Sequence, residues 1–334
     1  MTAVIAVPVA SDDAAPPRKV GAIARAVAAR VASAIFVLWG TVTVTFVVLA
    51  LLPGDRATIL LNIRSGQTIE RTPDELAPIN AQYGFDRPVL AQYWTYLGDL
   101  LHGDFGQSLQ LQRSVTDVIG EQITPTLTLA VGALLLAWVL TVPWTLLTAG
   151  RRGRVGTLGS AVETVTAGLP HYWVGVLLLI FGAIHLRWFP VLGGTTPAGT
   201  ILPLVTLAIP LAGFLGQATR AEFGRASRQP FVLTARARGM GSGGVRARHV
   251  LRHSLIPGVT LTGWAMGSLL SGAVLVENVF ARPGLGSVLV TAVSAKDFPV
   301  VSGIVILISF AYVLINLVID AVYLIVDPRL ESRR

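Results

Sequence analysis

Between Gln122 and Gly150 the chain reads QITPTLTLAVGALLLAWVLTVPWTLLTAG, 29 residues without a charge. A helix rises 1.5 Å per residue and the hydrocarbon core of a bilayer is about 30 Å thick, so roughly 20 apolar residues cross it. Five more charge-free stretches have about that length or more: Val31 to Gly54, Thr164 to Leu186, Trp188 to Thr219, His253 to Val276 and Phe298 to Ile319. Lipid offers no partner to a peptide group, so each stretch must satisfy its backbone internally and is predicted to be a helix. The six together predict an all-α membrane protein with six transmembrane helices. Six buried helices of such length in a soluble protein would need an implausibly large core.

Composition agrees. Of 334 residues only 13% are charged and 53% are hydrophobic, with mean hydropathy +0.66; a soluble domain carries about 25% charged residues. Cysteine is absent, which excludes disulfides and thiolate metal sites. A net charge of +8 would suggest nucleic acid in a soluble chain, but here the placement of Lys and Arg explains it. With the N-terminus in the cytoplasm, 18 of the 26 basic residues fall on the cytoplasmic side and 8 outside. Cytoplasmic loops carry the basic excess, so both termini are assigned to the cytoplasm and no nucleic-acid partner is expected.

This topology divides the chain. Residues 1–17 lack a basic start, carry Asp12, Asp13, Pro16 and Pro17, and read as a disordered tail, not a signal peptide. Residues 18–52 are a cytoplasmic lead-in and the first span. Residues 53–121 form an external loop domain with nine acids and with Tyr93, Trp94 and Tyr96 close together; short helices on the membrane surface are expected there. Residues 122–334 are a five-helix core with a cytoplasmic loop at 220–257. Pro203 and Pro210 predict a kink in span four.

Several chemistries lack their residues. A Walker A loop needs a Lys after a Gly-rich turn, and the two lysines, Lys19 and Lys296, have no such setting. Zinc-protease and nucleophile-elbow motifs are missing too. His249 and His253 have metal-pair spacing but no third ligand or carboxylate beside them, and read as part of a basic helix. Ionisable residues in spans are functional candidates by default. Glu163, Glu277 and Asp320, the last with Asn316 one turn before it, all lie near span ends, where helix packing or interfacial solvation accounts for them. A proton-driven carrier would want such groups at the midplane.

From Phe231 to Pro257 the chain reads FVLTARARGMGSGGVRARHVLRHSLIP. Small residues cluster at Thr234, Ala235, Ala237, Gly239 and Gly241. A basic amphipathic helix is predicted from Val245 to about Leu255, with Pro257 at the entry to span five. This segment resembles the EAA loop of ABC-importer permeases in its dipeptide/oligopeptide/nickel subfamily form, with Ala235-Arg236 where the broad consensus has Glu-Ala. Further motifs resemble that subfamily in order: LLPGDRA at Leu51–Ala57, YGFDRP at Tyr83–Pro88, GDFGQSL at Gly103–Leu109, ENVFARPGLG at Glu277–Gly286, NLVID at Asn316–Asp320 and DPRL at Asp327–Leu330. The resemblance spans about residues 20–330 and is to the B-type permease, which the long external loop favours.

The resemblance implies a type I ABC importer permease fold in a bacterial inner membrane. It implies a channel subunit, not an enzyme, that binds no cofactor itself while partner subunits use ATP. The implied partners are a homologous C-type permease forming a heterodimer, cytoplasmic ATPase subunits, an external substrate-binding protein and the bilayer. Coupling to the ATPase falls on Thr234, Ala235, Arg236, Ala237, Arg238, Gly239, Met240 and Gly241. Short peptides are the implied cargo, with nickel or a metal chelate as the alternative; substrate ligands are not identified. A stand-alone secondary carrier is the reading from another class, and its inverted repeats are not visible.

Overall fold

The computed structural model describes residues 19–51, 55–67 and 69–326. The expected tail at 1–17, the end of span one at 52–54 and the DPRL motif lie outside the described residues, as does the side chain of Asp320. Among the described residues every regular element is a helix. The elements are α1 (Lys19–Leu51), α2 (Arg56–Ser65), α3 (Pro73–Tyr83), α4 (Val89–Leu101), α5 (Val115–Thr148), α6 (Arg154–Gly168) and α7 (His171–Leu178), which runs on as a π-helical stretch, Leu179–His185. Then come α8 (Pro197–Ala226), α9 (Pro230–Ala237), α10 (Ser242–Gly244), a second π stretch (Val245–Val250), α11 (Leu251–Val279), α12 (Leu285–Ser294) and α13 (Phe298–Val326).

Among the described residues five continuous helical segments are long and apolar enough to cross a membrane: Val27–Leu51, Val115–Thr148, Pro197–Ala226, Ser242–Val279 and Phe298–Ile319. A sixth span requires α6 and α7 with its π stretch to count as one, and these are bent by 99°. The single helix expected over Thr164–Leu186 is therefore a broken one. Pro170 is the cause. It lacks an N–H and drives the residue before it out of the helical region, and Leu169 is extended at φ −78°, ψ 127°.

Two other boundaries differ from expectation. Residues 188–196 precede α8 as non-helical chain, held by Gly193 N–H donating to Phe280 O (2.6 Å). The amphipathic helix expected to end near Leu255 instead continues through Pro257 as one helix, Ser242–Val279. The proline removes one ladder bond, which a buried membrane helix tolerates. α8 likewise runs unbroken through Pro203 and Pro210.

α8 is the central helix. More than half of its apolar window is buried (56%), against 11% for α1. Leu207, Leu211 and Leu215 of α8 meet Leu129 and Ala133 of α5 and Leu269 and Ala273 of α11 in one apolar core. Small residues let α6 approach closely: a Cβ on Gly213 would sit 2.3 Å from Thr166 Oγ1.

Helices α2 to α4 gather at one end of the bundle. Asp55 caps α2 by accepting from Thr58 N–H (2.9 Å), as N-cap acids do. Phe46 of α1 packs on Tyr93 and Tyr96 of α4, and the Tyr93 hydroxyl bonds Thr43 Oγ1 at 2.7 Å. Helix α9 lies at the opposite end, where α5 and α8 finish.

Candidate functional site

α8 ends at Ala226, and Pro230 opens α9 at a first-turn position where its missing N–H costs nothing. Gly239, at φ +82°, reverses the chain after α9 in the left-handed conformation that glycine adopts without strain. The long helix beginning at Ser242 then carries it back into the bundle. Beneath α9 lies a small apolar core of Val232, Ala235, Val245, Val250 and Leu251 with Phe223 of α8 and Ala149 after α5. The rings of Phe231 and His253 also meet, 4.7 Å between centroids.

Arg246 fastens this unit to the bundle. Its Nη2 donates to Leu146 O (2.6 Å) and Ala149 O (2.8 Å), two carbonyls that the end of α5 leaves without helical partners. Its guanidinium also lies 4.8 Å from the centre of the Phe223 ring.

The eight residues expected to couple the loop to a partner divide by burial. Thr234, Arg236, Ala237, Arg238, Gly239 and Gly241 are exposed; Ala235 is buried and Met240 half-buried. Ala235 and Met240 therefore belong to the core that holds α9. Leu233, which the sequence reading passed over, is 69% exposed. It stands one turn from Arg236 and Ala237, on the face that α9 turns away from the bundle. The signal was the helical period: once Val232 and Ala235 point inward, Leu233 and Ala237 must point out.

A buried ion pair ties α8 to the bundle just above the loop. Arg220 Nη2 lies 2.9 Å from Glu163 Oε1, and a second bond joins Nε to Oε2. The same guanidinium reaches Thr148 Oγ1 of α5, and Gln217 donates to Glu163 O at 3.1 Å. Glu163 is 2% exposed. Three helices thus meet at one ion pair, α6 through the carboxylate and α5 through the guanidinium, where the sequence showed an acid near a span end.

At the other end the ENVFARPGLG segment is a structural knot. Glu277, fully buried, accepts from Thr126 Oγ1 (2.6 Å), Gly286 N–H (2.8 Å) and Ser287 N–H (3.2 Å). It thereby caps the start of α12, where a negative charge is favoured. Arg282 donates to Gly194 O and Thr200 Oγ1, both at 3.0 Å, clamping the entry to α8. Asp297 accepts from Leu109 N–H (3.0 Å) and Gln110 N–H (3.2 Å), so the GDFGQSL segment is moored to the turn before α13.

Residues 141–332 match the family described as "Binding-protein-dependent transport system inner membrane component". The chain belongs to this family. Residues 23–130 match its N-terminal companion family. The permease match takes in α6 to α13 and so the whole α9 loop; the N-terminal match takes in α1 to α4 and the first half of α5. The fold is that of a type I importer permease.

Three relatives share most of the permease. A protein of Escherichia coli (strain K12), named "Probable D,D-dipeptide transport system permease protein", is 34% identical, covering 89% of this chain and 94% of its own. A Brucella abortus (strain 2308) protein named for a peptide transport system permease is 33% identical, covering 90% and 97%. A glutathione transport system permease of Salmonella paratyphi A is 32% identical, covering 86% and 92%.

Proposed function

We propose that this permease forms one half of the channel of an ATP-driven importer of short peptides in a bacterial inner membrane. The observation that supports the cargo most is the agreement of the relatives, whose names specify D,D-dipeptides, peptides and glutathione, itself a tripeptide. Nickel chelates, the alternative weighed from sequence, gain no support from those names. A second, homologous permease of C type supplies the other half-channel. An external binding protein delivers the peptide. Both termini are cytoplasmic, in accord with the basic bias.

Energy enters through α9. The sequence carries no nucleotide-binding motif, so ATP is bound and split by separate cytoplasmic subunits and the chain itself is not an enzyme. Their motion is received by the exposed face of α9 and its turn: Leu233, Thr234, Arg236, Ala237, Arg238, Gly239 and Gly241. Ala235 and Met240 keep that face rigid. The tether through Arg246 and the Glu163–Arg220 pair carries the movement into α5, α6 and α8.

Affinity purification in mild detergent, together with uptake assays on a deletion strain, tests this. ATPase subunits and a second permease should co-purify, and the deletion should abolish growth on a short peptide as sole source of a required amino acid. Unchanged peptide uptake with impaired nickel uptake would contradict the cargo. Transport by the chain purified alone would contradict the subunit assignment.

A further inference from the structure

A cleft of about 600 Å³ opens between α2–α4 and the nearby ends of α1 and α13. Three motifs that the coupling machinery does not use converge on it. Arg56 comes from LLPGDRA, Arg87 from YGFDRP, and Asp104 from GDFGQSL. Arg64 and Asp99 complete its charged lining.

The three cations are arranged round one turn, Tyr83–Phe85. Arg64 Nη2 donates to the Tyr83 hydroxyl (2.6 Å). Arg56 lies 5.9 Å from the centre of the Phe85 ring and donates to Gln92 Oε1 (3.2 Å). The Arg87 side chain lies across Gly84, 3.3 Å from where a Cβ would stand. Among the described residues none of the three forms an ion pair with a carboxylate. Arg56 is half-buried, and that burial pushes its guanidinium below its ordinary value, the mark of a cation taken from water without an anion in return. The two carboxylates are equally unmatched: among the described residues the Asp99 side chain has no hydrogen-bond partner, and Asp104 accepts only from Gly106 N–H (2.8 Å).

A cleft whose guanidinium groups and carboxylates form no ion pair among the described residues, and of a size that suits small ligands, calls for a compact ligand bearing both charges. We propose that it is an acceptor site for a short zwitterionic peptide, its C-terminal carboxylate held by Arg56, Arg64 and Arg87 and its ammonium by Asp99 and Asp104. Guanidinium takes a carboxylate through two parallel bonds, and the Tyr83 and Phe85 rings wall the carboxylate end. The site rests on the peptide-import reading, and extends it: cargo is retained on the outer face of the permease, apart from the channel.

The test is binding of radiolabelled L-Ala-L-Ala, D-Ala-D-Ala and glutathione to the full-length chain in phosphatidylcholine nanodiscs. At least one should bind saturably, and its C-terminal amide should bind far more weakly. Arg87→Glu and Asp99→Lys, both at exposed positions, should each weaken binding about tenfold or more while the protein inserts normally. Failure of all three peptides to bind, or affinities untouched by both variants, would overturn the proposal. So would phosphatidylglycerol or inorganic phosphate occupying the cleft, with retention lost in Arg87→Glu and no peptide bound. Peptide uptake by the assembled importer, measured in parallel, separates the two readings. Uptake without cleft binding sinks this inference alone, whereas cleft binding without any peptide uptake sinks the import reading.

Discussion

The carboxylate of Glu163 on α6 is buried against the guanidinium of Arg220 on α8, with Nη2 and Oε1 2.9 Å apart. Arg220 stands two helical turns before the end of α8, so the pair binds the helix that leads into α9 to its neighbours. Removing one member of a buried pair strands the other charge, at a cost of about 3–5 kcal/mol. Glu163→Gln should therefore lower the thermal stability of the detergent-solubilised protein by an amount of that order. The double variant Glu163→Leu/Arg220→Met should cost less than either single change. Single variants within about 1 kcal/mol of wild type, as for an exposed pair, would contradict the buried tie.

Arg246 holds two carbonyls at the end of α5 and covers the Phe223 ring. Arg246→Ala should destabilise the α9 unit locally by about 2 kcal/mol. Hydrogen exchange of amides 230–245 should then quicken, while α11 beyond Pro257 keeps its protection. Arg246→Lys should restore only part, because an ammonium can bond a carbonyl but lacks the planar fork. Equal protection in all three proteins would show that the tether does not hold the loop.

Glu277 satisfies Thr126 and two amides at the start of α12. Glu277→Ala leaves those donors buried without an acceptor, which costs about 1–3 kcal/mol each in such settings. The expected result is exchange of the first amides of α12 at rates near those of an open segment, with spans elsewhere unchanged. A wild-type exchange pattern would mean that α12 stands without its cap.

Much of this fold was legible because the bilayer leaves few choices: long uncharged runs must be helices, and the runs at residues 122–150, 188–219 and 298–319 fall largely on α5, α8 and α13. The break at Leu169–Pro170 was within reach of the X-Pro rule, but apolarity alone ran across it. Pro257 shows the converse, a proline read as a boundary that the helix simply absorbs. Partnership was the illegible part. Glu163 with Arg220 and Glu277 with Thr126 are separated by 57 and 151 positions, and single-sequence patterns carry no signal at that range. On α9 the motif located the segment, but only packing against Phe223 and Ala149 divided it into an inward face and a free one.

The central claim is that the free face of α9 receives the motion of a separate ATPase. Gly239 is a poor probe of it, since any side chain at φ +82° strains the turn itself. Leu233→Glu and Ala237→Trp alter only exposed positions and leave the core beneath intact. The decisive measurement follows membrane insertion, ATPase-subunit retention and peptide uptake together in these two variants. The account predicts normal insertion, with uptake lost and the ATPase released or uncoupled. Variants that insert normally, retain the ATPase and import peptide at the wild-type rate would contradict it.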